Sequence, residues 1–211
     1  MLDPGTAPLR SDARRNRDLI VTAATTHFLE HGPDAPLDAV ARAAGVGIGT
    51  LYRRFPTRDA LLGGVLEQLL DDVVTDARAA RDSAATPWDG LMQATSWSRS
   101  IRTILRVARG PVVTRLTTSD TFAPLRDALA EMLTIIDGLV RAAQADGTMR
   151  TDVSAGDIVL VTSAVSRSLP HDGDAAANAY SRAHAILAAG LRADGATPLP
   201  GHPVGLADLP L

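Results

Sequence analysis

Apolar residues recur through most of the chain every three or four positions, the period of an α-helix that buries one face. The clearest short run of this kind is Leu37, Val40, Ala41 and Ala44. Gly45 follows it and predicts the helix end, because glycine readily adopts the left-handed conformation that terminates helices. The pattern resumes at Ile48, with Leu51 and Phe55 four apart on an inward face. We therefore predict two short helices joined by a tight glycine turn.

Longer helices are predicted on both sides of this turn. The upstream helix begins at an N-cap, Ser11, and ends at Gly32. Thr57 caps a downstream helix whose apolar stripe is wide enough to pack against two domains. We therefore interpret this helix as a connector between domains. Further helices are predicted over residues 87–109, 122–147, 154–169 and 175–192, with a short piece at 112–118.

This pattern predicts an all-α protein of two domains. Residues 11–56 form a three-helix module that contains a helix-turn-helix, and residues 57–194 form a larger helical domain for ligand binding and dimerisation. Residues 1–10 are predicted to be a disordered arm and residues 195–211 a flexible tail, because both are rich in proline and glycine and lack a helical period.

Charge in the helix-turn-helix indicates what the motif binds. Between residues 39 and 58 the chain has four arginines and no acidic residue, although its formal net charge is −3. A local positive surface on an otherwise acidic protein is expected where DNA phosphates are bound. The second helix of such a motif enters the major groove.

The motif also resembles a known family. The run A-R-A-A-G-V-G-I-G-T-L-Y-R-R-F-P-T-R-D-A-L-L, which begins at Ala41 and follows F-L-E-H-G, is similar to the TetR family of bacterial transcription regulators. The resemblance covers residues 14–70. It implies a homodimeric repressor in which a small molecule tilts the connector helix, changes the separation of the two recognition helices and releases a palindromic operator. Gly47 departs from the family pattern, because a serine or threonine usually caps the recognition helix. A glycine cap is weaker by a few tenths of a kcal/mol.

The resemblance and the side-chain chemistry together name the expected DNA contacts. By resemblance, Thr50 and Tyr52 touch backbone phosphates, and Arg58 occupies a basic phosphate-contacting position. Two further arginines and two apolar positions follow from chemistry: Arg53, Arg54, Ile48 and Gly49. The arginines reach either phosphate or guanine, the isoleucine packs on a thymine methyl group, and the glycine permits close approach of the backbone.

Composition excludes several other functions. The chain has no lysine, which excludes a P-loop and Schiff-base chemistry, and no cysteine, which excludes disulfides and thiolate metal sites. No acid/base pair of carboxylates is evident, so we expect neither an enzyme nor a cofactor. Because no apolar run approaches eighteen residues and no signal peptide is present, we expect a cytoplasmic protein without membrane contact.

The predicted effector site lies in the C-terminal domain. Trp97 and Met132 either line a pocket or belong to the core, and Thr162 and Ser166 are the polar groups expected to orient a ligand. Few aromatic residues are available for a cage around a cation, so the effector is expected to be mainly aliphatic or neutral. Dimerisation is predicted through the last two helices, with Leu187 and Leu191 in the interface.

Other patterns leave alternatives open. Four arginines on one predicted helix face either bind an anionic ligand or pair with connector aspartates: Arg99, Arg102, Arg106 and Arg109. His27 and His31 have a metal-binding spacing, but without a recognised third ligand we interpret His31 as interacting with the helix dipole and expect no metal site. A helical small-molecule binding protein with a vestigial DNA module is the alternative function.

Overall fold

The computed structural model describes residues 6–96, 99–108, 112, 119–168, 174–195 and 197–209. Nine α-helices lie in these ranges: α1 Thr6–His31, α2 Leu37–Ala43, α3 Ile48–Arg54, α4 Arg58–Ser83, α5 Pro87–Ala94, α6 Arg99–Val107, α7 Ala123–Ala145, α8 Ala155–Ser168 and α9 Asp174–Leu191. Short 3-10 helices cover Asp120–Phe122 and Leu206–Asp208. The prediction of an all-α fold is confirmed. The predicted piece at 113–118 lies outside the described residues.

The first three helices form the predicted module. Helix α1 packs against α2, and α2 against α3. Their core contains the fully buried side chains of Ile20, Val40 and Leu51. Helix α1 begins at Thr6, so residues 6–10 are helical and differ from the predicted arm. Pro8 is compatible with this start, because the backbone N–H groups of a helix's first turn need no intrahelical partner.

Helix α4 carries two consecutive glycines that bring aromatic rings close to its backbone. The ring of Phe55 lies so near Gly64 that an added Cβ would be 2.8 Å from Cε1. The ring of Phe122 is 3.5 Å from the corresponding position at Gly63. Glycine within a helix costs about 0.5–1 kcal/mol relative to alanine. Here the close ring packing offsets that cost. Thr57 accepts a 3.0 Å hydrogen bond from the Ala60 N–H, which confirms its predicted role as the cap.

The chain divides into two compact units. One comprises residues 1–68 with 109–125, and the other comprises residues 69–108 with 126–211. The first unit therefore extends beyond the predicted boundary at residue 56. Two contacts account for this extension: Arg17 forms a 2.8 Å ion pair with Glu67, and Phe55 packs on Gly64. Helix α4 continues from the first unit into the second.

One predicted helix is two helices in the structure. Residues 87–109 were expected to be continuous, but α5 ends at Ala94 and α6 begins at Arg99. The Thr95 hydroxyl donates a 2.6 Å hydrogen bond to the Leu91 carbonyl. Threonine and serine side chains compete in this way for backbone groups, and Ser96 follows directly. At the other end Thr86 caps α5 by accepting from the Asp89 N–H at 3.1 Å.

The C-terminal segment 197–209 is attached to the second unit, which differs from the predicted flexible tail. Arg150 donates to the Thr197 carbonyl at 2.6 Å, and the Leu199 N–H donates to the Asp152 carboxylate at 2.9 Å. The Arg150 guanidinium and this N–H hold the pKa of Asp152 well below its usual range. The carboxylate therefore stays ionised, and its contribution to stability is lost only as the pH falls through that depressed pKa.

A second attachment lies at the start of α8. Asp157 accepts from the Val204 N–H at 3.1 Å, and the hydroxyl of Ser154, the predicted cap, donates to the Val204 carbonyl. The Ser154 N–H donates to Asp157 at 2.8 Å. These bonds involve side chains far from the tail in sequence, so its proline and glycine content could not reveal them.

In the described residues no helix is both long enough and apolar enough to cross a membrane.

Replacing Gly156 with alanine is expected to dislodge the C-terminal segment. An added Cβ would stand 2.0 Å from the Val204 carbonyl oxygen, so the backbone there must move. Overpacking of this kind costs about 1–3 kcal/mol of the free energy of unfolding. Gly138→Ala is the control. It lies inside α7 with nothing within 4 Å of the added Cβ, and should stabilise by about 0.5–1 kcal/mol. Chemical denaturation of both variants checks the pair, and equal effects would contradict the docked segment.

Candidate functional site

The turn between α2 and α3 has the geometry that the sequence predicts. Gly45 has a φ of +68°, in the left-handed region. The Val46 N–H donates to the Ala41 carbonyl at 3.0 Å, and the Gly45 N–H to the Arg42 carbonyl at 3.1 Å. This is the Schellman pattern of hydrogen bonds, which satisfies the last carbonyls of α2. The turn therefore fixes where α3 begins.

Helix α3 starts from a glycine cap, as predicted. Gly47 has φ −70° and ψ 146°, and no side chain caps the helix there. The Gly47 carbonyl accepts from the Thr50 N–H at 2.8 Å and from the Leu51 N–H at 3.2 Å. Nothing lies within 4 Å of a Cβ added at Gly47, so serine would fit at this position.

Helix α3 has one buried face and one exposed face. Leu51 is fully buried and Phe55 is 5% exposed, which anchors the helix to the module. Tyr52 is 49% exposed and Ile48 38% exposed. The other predicted DNA-contacting positions on the helix are exposed or half-buried: Gly49, Thr50, Arg53 and Arg54. An isoleucine and a tyrosine exposed beside arginines suit contact with base edges, methyl groups and phosphates.

A side-chain hydrogen bond links two of these residues. The Arg53 Nη2 donates to the Thr50 Oγ1 at 2.9 Å. The hydroxyl is the acceptor in this bond, so its own hydrogen is free for a second acceptor such as a phosphate oxygen. The bond also restrains the guanidinium over the first turn of α3, which lowers the conformational entropy lost when Arg53 binds.

Arg58 has a structural role besides the phosphate contact, which stays a prediction. Its Nη1 donates to the carbonyls of Pro33 at 2.9 Å and Ala35 at 2.6 Å. The side chain therefore ties the first turn of α4 to the loop between α1 and α2. The sequence could not reveal this bond, because the partners are backbone atoms more than twenty residues away.

Removing this tie is expected to lower stability as well as DNA affinity. Hydrogen bonds from a charged donor contribute about 1.5–3 kcal/mol, so Arg58→Ala should lower the free energy of unfolding by that amount. Arg58→Lys keeps the charge without the guanidinium geometry and should not restore stability. The two roles are separated by the salt dependence of DNA binding, measured as the slope of log affinity against log salt. A slope flatter by about 0.9 for Arg58→Ala indicates a phosphate contact, and an unchanged slope with lowered stability indicates the structural role alone. Unchanged stability would contradict the structural role.

Three of the four predicted effector residues lie in the described part of the second unit. Trp97 lies outside the described residues. Met132 on α7 is buried, and the Thr162 hydroxyl on α8 donates to the Ile158 carbonyl of its own helix at 2.7 Å. Ser166 is 2% exposed, and its Oγ is buried without a hydrogen-bond partner in the described part of the chain. Of the four, Ser166 has the property expected of a ligand-orienting group, because a buried unpaired hydroxyl is costly.

The arginine stripe on α6 is only partly described. The Arg102 guanidinium lies 5.1 Å from the centre of the Tyr180 ring, a cation–π contact. Asp72 of α4 accepts from Ser100 at 3.3 Å. Arg109 lies outside the described residues, so the choice between an anionic ligand and pairing with connector aspartates stays open.

The imidazole of His184 on α9 lies beside the end of α5, a contact that the sequence does not predict. His184 Nε2 is 3.3 Å from the buried Thr95 hydroxyl, and burial lowers the pKa of the His184 imidazole.

Two clefts of the second unit, of about 450 and 480 Å³, are lined by residues of α4 and α5, with α7 also lining the smaller one. Neither is lined by Met132, Thr162 or Ser166.

Models of known protein families match both the N-terminal and the C-terminal part of the chain. A family model described as "Bacterial regulatory proteins, tetR family" matches residues 20–65. A second, described as "Transcriptional regulator SbtR-like, C-terminal domain", matches residues 90–193. An HTH-type transcriptional regulator of Staphylococcus aureus (strain USA300) is 33% identical over 75 residues, which are 35% of this chain. The chain matches only 40% of the length of that relative.

Solved structures are similar over most of the chain. A TetR transcription regulatory protein from Mycobacterium vanbaalenii is 30% identical, with a TM-score of 0.61, and the alignment covers 88% of this chain and 99% of that one. The TetR transcriptional regulator SCO0520 from Streptomyces coelicolor is 29% identical, with a TM-score of 0.62 and coverage of 83% and 98%. The ketosteroid regulator KstR2 of Mycobacterium tuberculosis, at 20% identity, a TM-score of 0.67 and coverage of 83% and 94%, shares the fold.

Proposed function

The chain belongs to the TetR family of transcriptional regulators, and we propose that it binds a palindromic operator as a homodimer and represses transcription until a small molecule releases it. The observation that carries this proposal is the exposed face of α3. That face presents Tyr52, Arg53 and Arg54 from a helix whose other side is held by Leu51. The acid-free sequence around it makes the surface suitable for DNA phosphates.

The role of each recognition residue follows from its exposure. Tyr52 projects its hydroxyl group from a half-exposed ring, so it can donate to a phosphate without moving the helix. Ile48 can contact a thymine methyl, and Gly49 adds no side chain between the backbone and the groove. Arg54 is also exposed on α3, so its guanidinium can reach either a phosphate or a guanine.

A second copy is the proposed partner of the last two helices. Leu160 and Val161 on α8 are 43% and 42% exposed, and Ile186 on α9 is 68% exposed. Around them lie small residues that allow a neighbouring helix to approach: Ala164, Ala185 and Ala189. A single recognition helix reads few base pairs, so specificity needs two modules about one DNA turn apart.

The proposed effector binds in the second unit near Ser166 and is mainly aliphatic or neutral. Val165 and Ile101 pack with Ala176 and Tyr180, so the surroundings of α8 are largely apolar. The unpaired Ser166 Oγ is the group we propose to hydrogen-bond the effector. Helix α4 runs from the first unit into the second, so a change at one end can reach the other. The effector must bind the released state more tightly than the DNA-bound state.

Selection of bound fragments from genomic DNA tests this function. The full-length protein should enrich a few fragments that share an inverted repeat, and a mobility shift on those fragments should disappear at high salt. Compounds are then screened for release of the fragment, and Ser166→Ala should weaken the response to an active compound without changing DNA affinity. A protein that binds small molecules but enriches no DNA would support the alternative of a vestigial DNA module.

A further inference from the structure

Three potential metal ligands lie together at the C-terminal end of α1. The donor atoms of His27, Glu30 and His31 are all within 4.8 Å of one another. The imidazole rings are 5.7 Å apart between centroids, and His31 Nε2 is 3.6 Å from the Glu30 carboxylate. Among the residues that the structure describes, these three are the histidine and acidic side chains whose donor atoms lie close enough together to bind one metal ion.

We propose that these three residues bind a divalent transition metal ion, with Zn²⁺ as the best fit. Histidines at i and i+4 on a helix bind zinc, and two histidines with one carboxylate form a known zinc ligand set that leaves a position for water. Each donor atom stands about 2.0–2.2 Å from a bound Zn²⁺ ion. Donors within 4.8 Å of one another reach that arrangement by small side-chain rotations.

Glu30 is the third ligand, which the spacing of the two histidines alone does not reveal. Glu30 lies between the two histidines and follows His27 by three positions, so the helix places all three on one face. Glu30 and His31 are 59% and 57% exposed, which leaves them accessible to an ion from solvent.

His27 supplies an independent observation. Its side chain is partly buried, and Nδ1 is shielded from solvent without a hydrogen-bond partner in the described residues. Shielded nitrogens without a partner are uncommon in folded proteins. This ring is also held more firmly than the exposed His31. A firmly held first ligand lowers the entropy lost when the ion binds.

The location gives the ion a structural effect. Chelation by residues one turn apart ties the last turn of α1, which ends where Gly32 adopts a φ of +80°. The loop that follows is the one bonded to Arg58. A bound ion should therefore slow amide exchange in the last turn of α1 and raise the stability of the N-terminal unit.

Titration of the metal-free full-length protein with Co²⁺ tests the proposal. We expect one Co²⁺ per chain with visible d–d absorption, displaced by Zn²⁺, and slower amide exchange over residues 27–31. At a Zn²⁺ concentration 100-fold above Kd, Tm should rise by about 5–11 °C. His31→Gln and Glu30→Gln alter exposed side chains and should lower affinity at least tenfold.

His202→Gln is the matched control, because His202 is exposed in the C-terminal segment and should leave binding unchanged. Absence of Co²⁺ binding by the wild-type protein would overturn the proposal. So would equal affinity of the wild type and the His31→Gln variant, since any ion would then bind elsewhere. A His27→Gln variant adds support if it folds, but the test does not depend on it.

Discussion

Replacing Val161 and Ile186 with arginine is expected to yield monomers that no longer hold the operator. Ile186 is 68% exposed and Val161 is 42% exposed, on neighbouring helices that we propose to meet a second copy. Burying one such side chain contributes about 1.5–3 kcal/mol. Each residue occurs twice in a two-fold interface, so, scaled by their exposed fractions, Ile186 and Val161 together contribute about 3–6 kcal/mol per dimer. The dissociation constant of the dimer should therefore rise more than 100-fold.

Light scattering and a mobility shift measure the two consequences separately. The double variant should be monomeric and fail to shift the selected fragment, although α3 is untouched. Ser181→Arg is the control, because it adds the same charge at an exposed position of α9 on a different side from Ile186. A double variant that stays dimeric and binds normally would place the interface elsewhere.

The burial of α9 differs from what the sequence predicts. The helical period correctly gave α9 an apolar stripe, and predicted Leu187 and Leu191 as interface residues. In the structure Leu191 and Tyr180 are each only 5% exposed, so this stripe faces the interior of the subunit. Alanines occupy much of the remaining surface of α9, so that surface has neither a clear apolar nor a clear polar pattern. The spacing of apolar residues alone therefore could not separate core positions from positions in a subunit contact. Exposure of Ile186 identifies the outer face.

Replacing Arg53 and Arg54 with alanine is expected to weaken operator binding at least about 30-fold. Both side chains are exposed at the end of α3. Each arginine contact to DNA contributes about 1–3 kcal/mol, so two contribute about 2–6 kcal/mol. Alanine favours the helix, so the fold should be preserved. Loss of the bond from Arg53 to Thr50 removes only an exposed interaction.

A control with the same net charge isolates the local effect. Arg81 and Arg141 lie in exposed ion pairs on α4 and α7, and their replacement by alanine removes the same two charges. This control should leave affinity nearly unchanged. The salt dependence separates the two roles open to Arg53 and Arg54. A slope flatter by about 0.9 for each residue indicates phosphate contact, whereas relaxed base preference at an unchanged slope indicates guanine contact. Equal affinity of both double variants would remove α3 from the interface.

The helix-turn-helix could be predicted closely because its signals are local. Gly45 ends α2 through its own conformation, and Leu51 and Phe55 are buried through spacing within one short helix. Features that depend on distant partners were missed. Arg58 donates to the α1–α2 loop and the Val204 N–H donates to Asp157, across separations of 25 and 47 positions, and no local pattern encodes these bonds.

Of the two hydroxyls predicted to orient an effector, only that of Ser166 has the expected environment. Both lie on an apolar face of the predicted helix, and Ser166 is buried without a partner in the described residues. The Thr162 hydroxyl is instead used by its own helix. Threonine in a helix commonly bonds back to the preceding turn, so position on the face was insufficient.

We propose that two copies of α3 bind successive major grooves of one DNA site. A hydroxyl-radical footprint of the full-length protein on a selected genomic fragment measures this most directly. We expect two protected regions, symmetric about a two-fold axis, with half-site centres about 34–36 Å apart, and loss of both regions in the Arg53→Ala, Arg54→Ala variant. A single protected region, or a symmetric footprint that the variant retains, would contradict it.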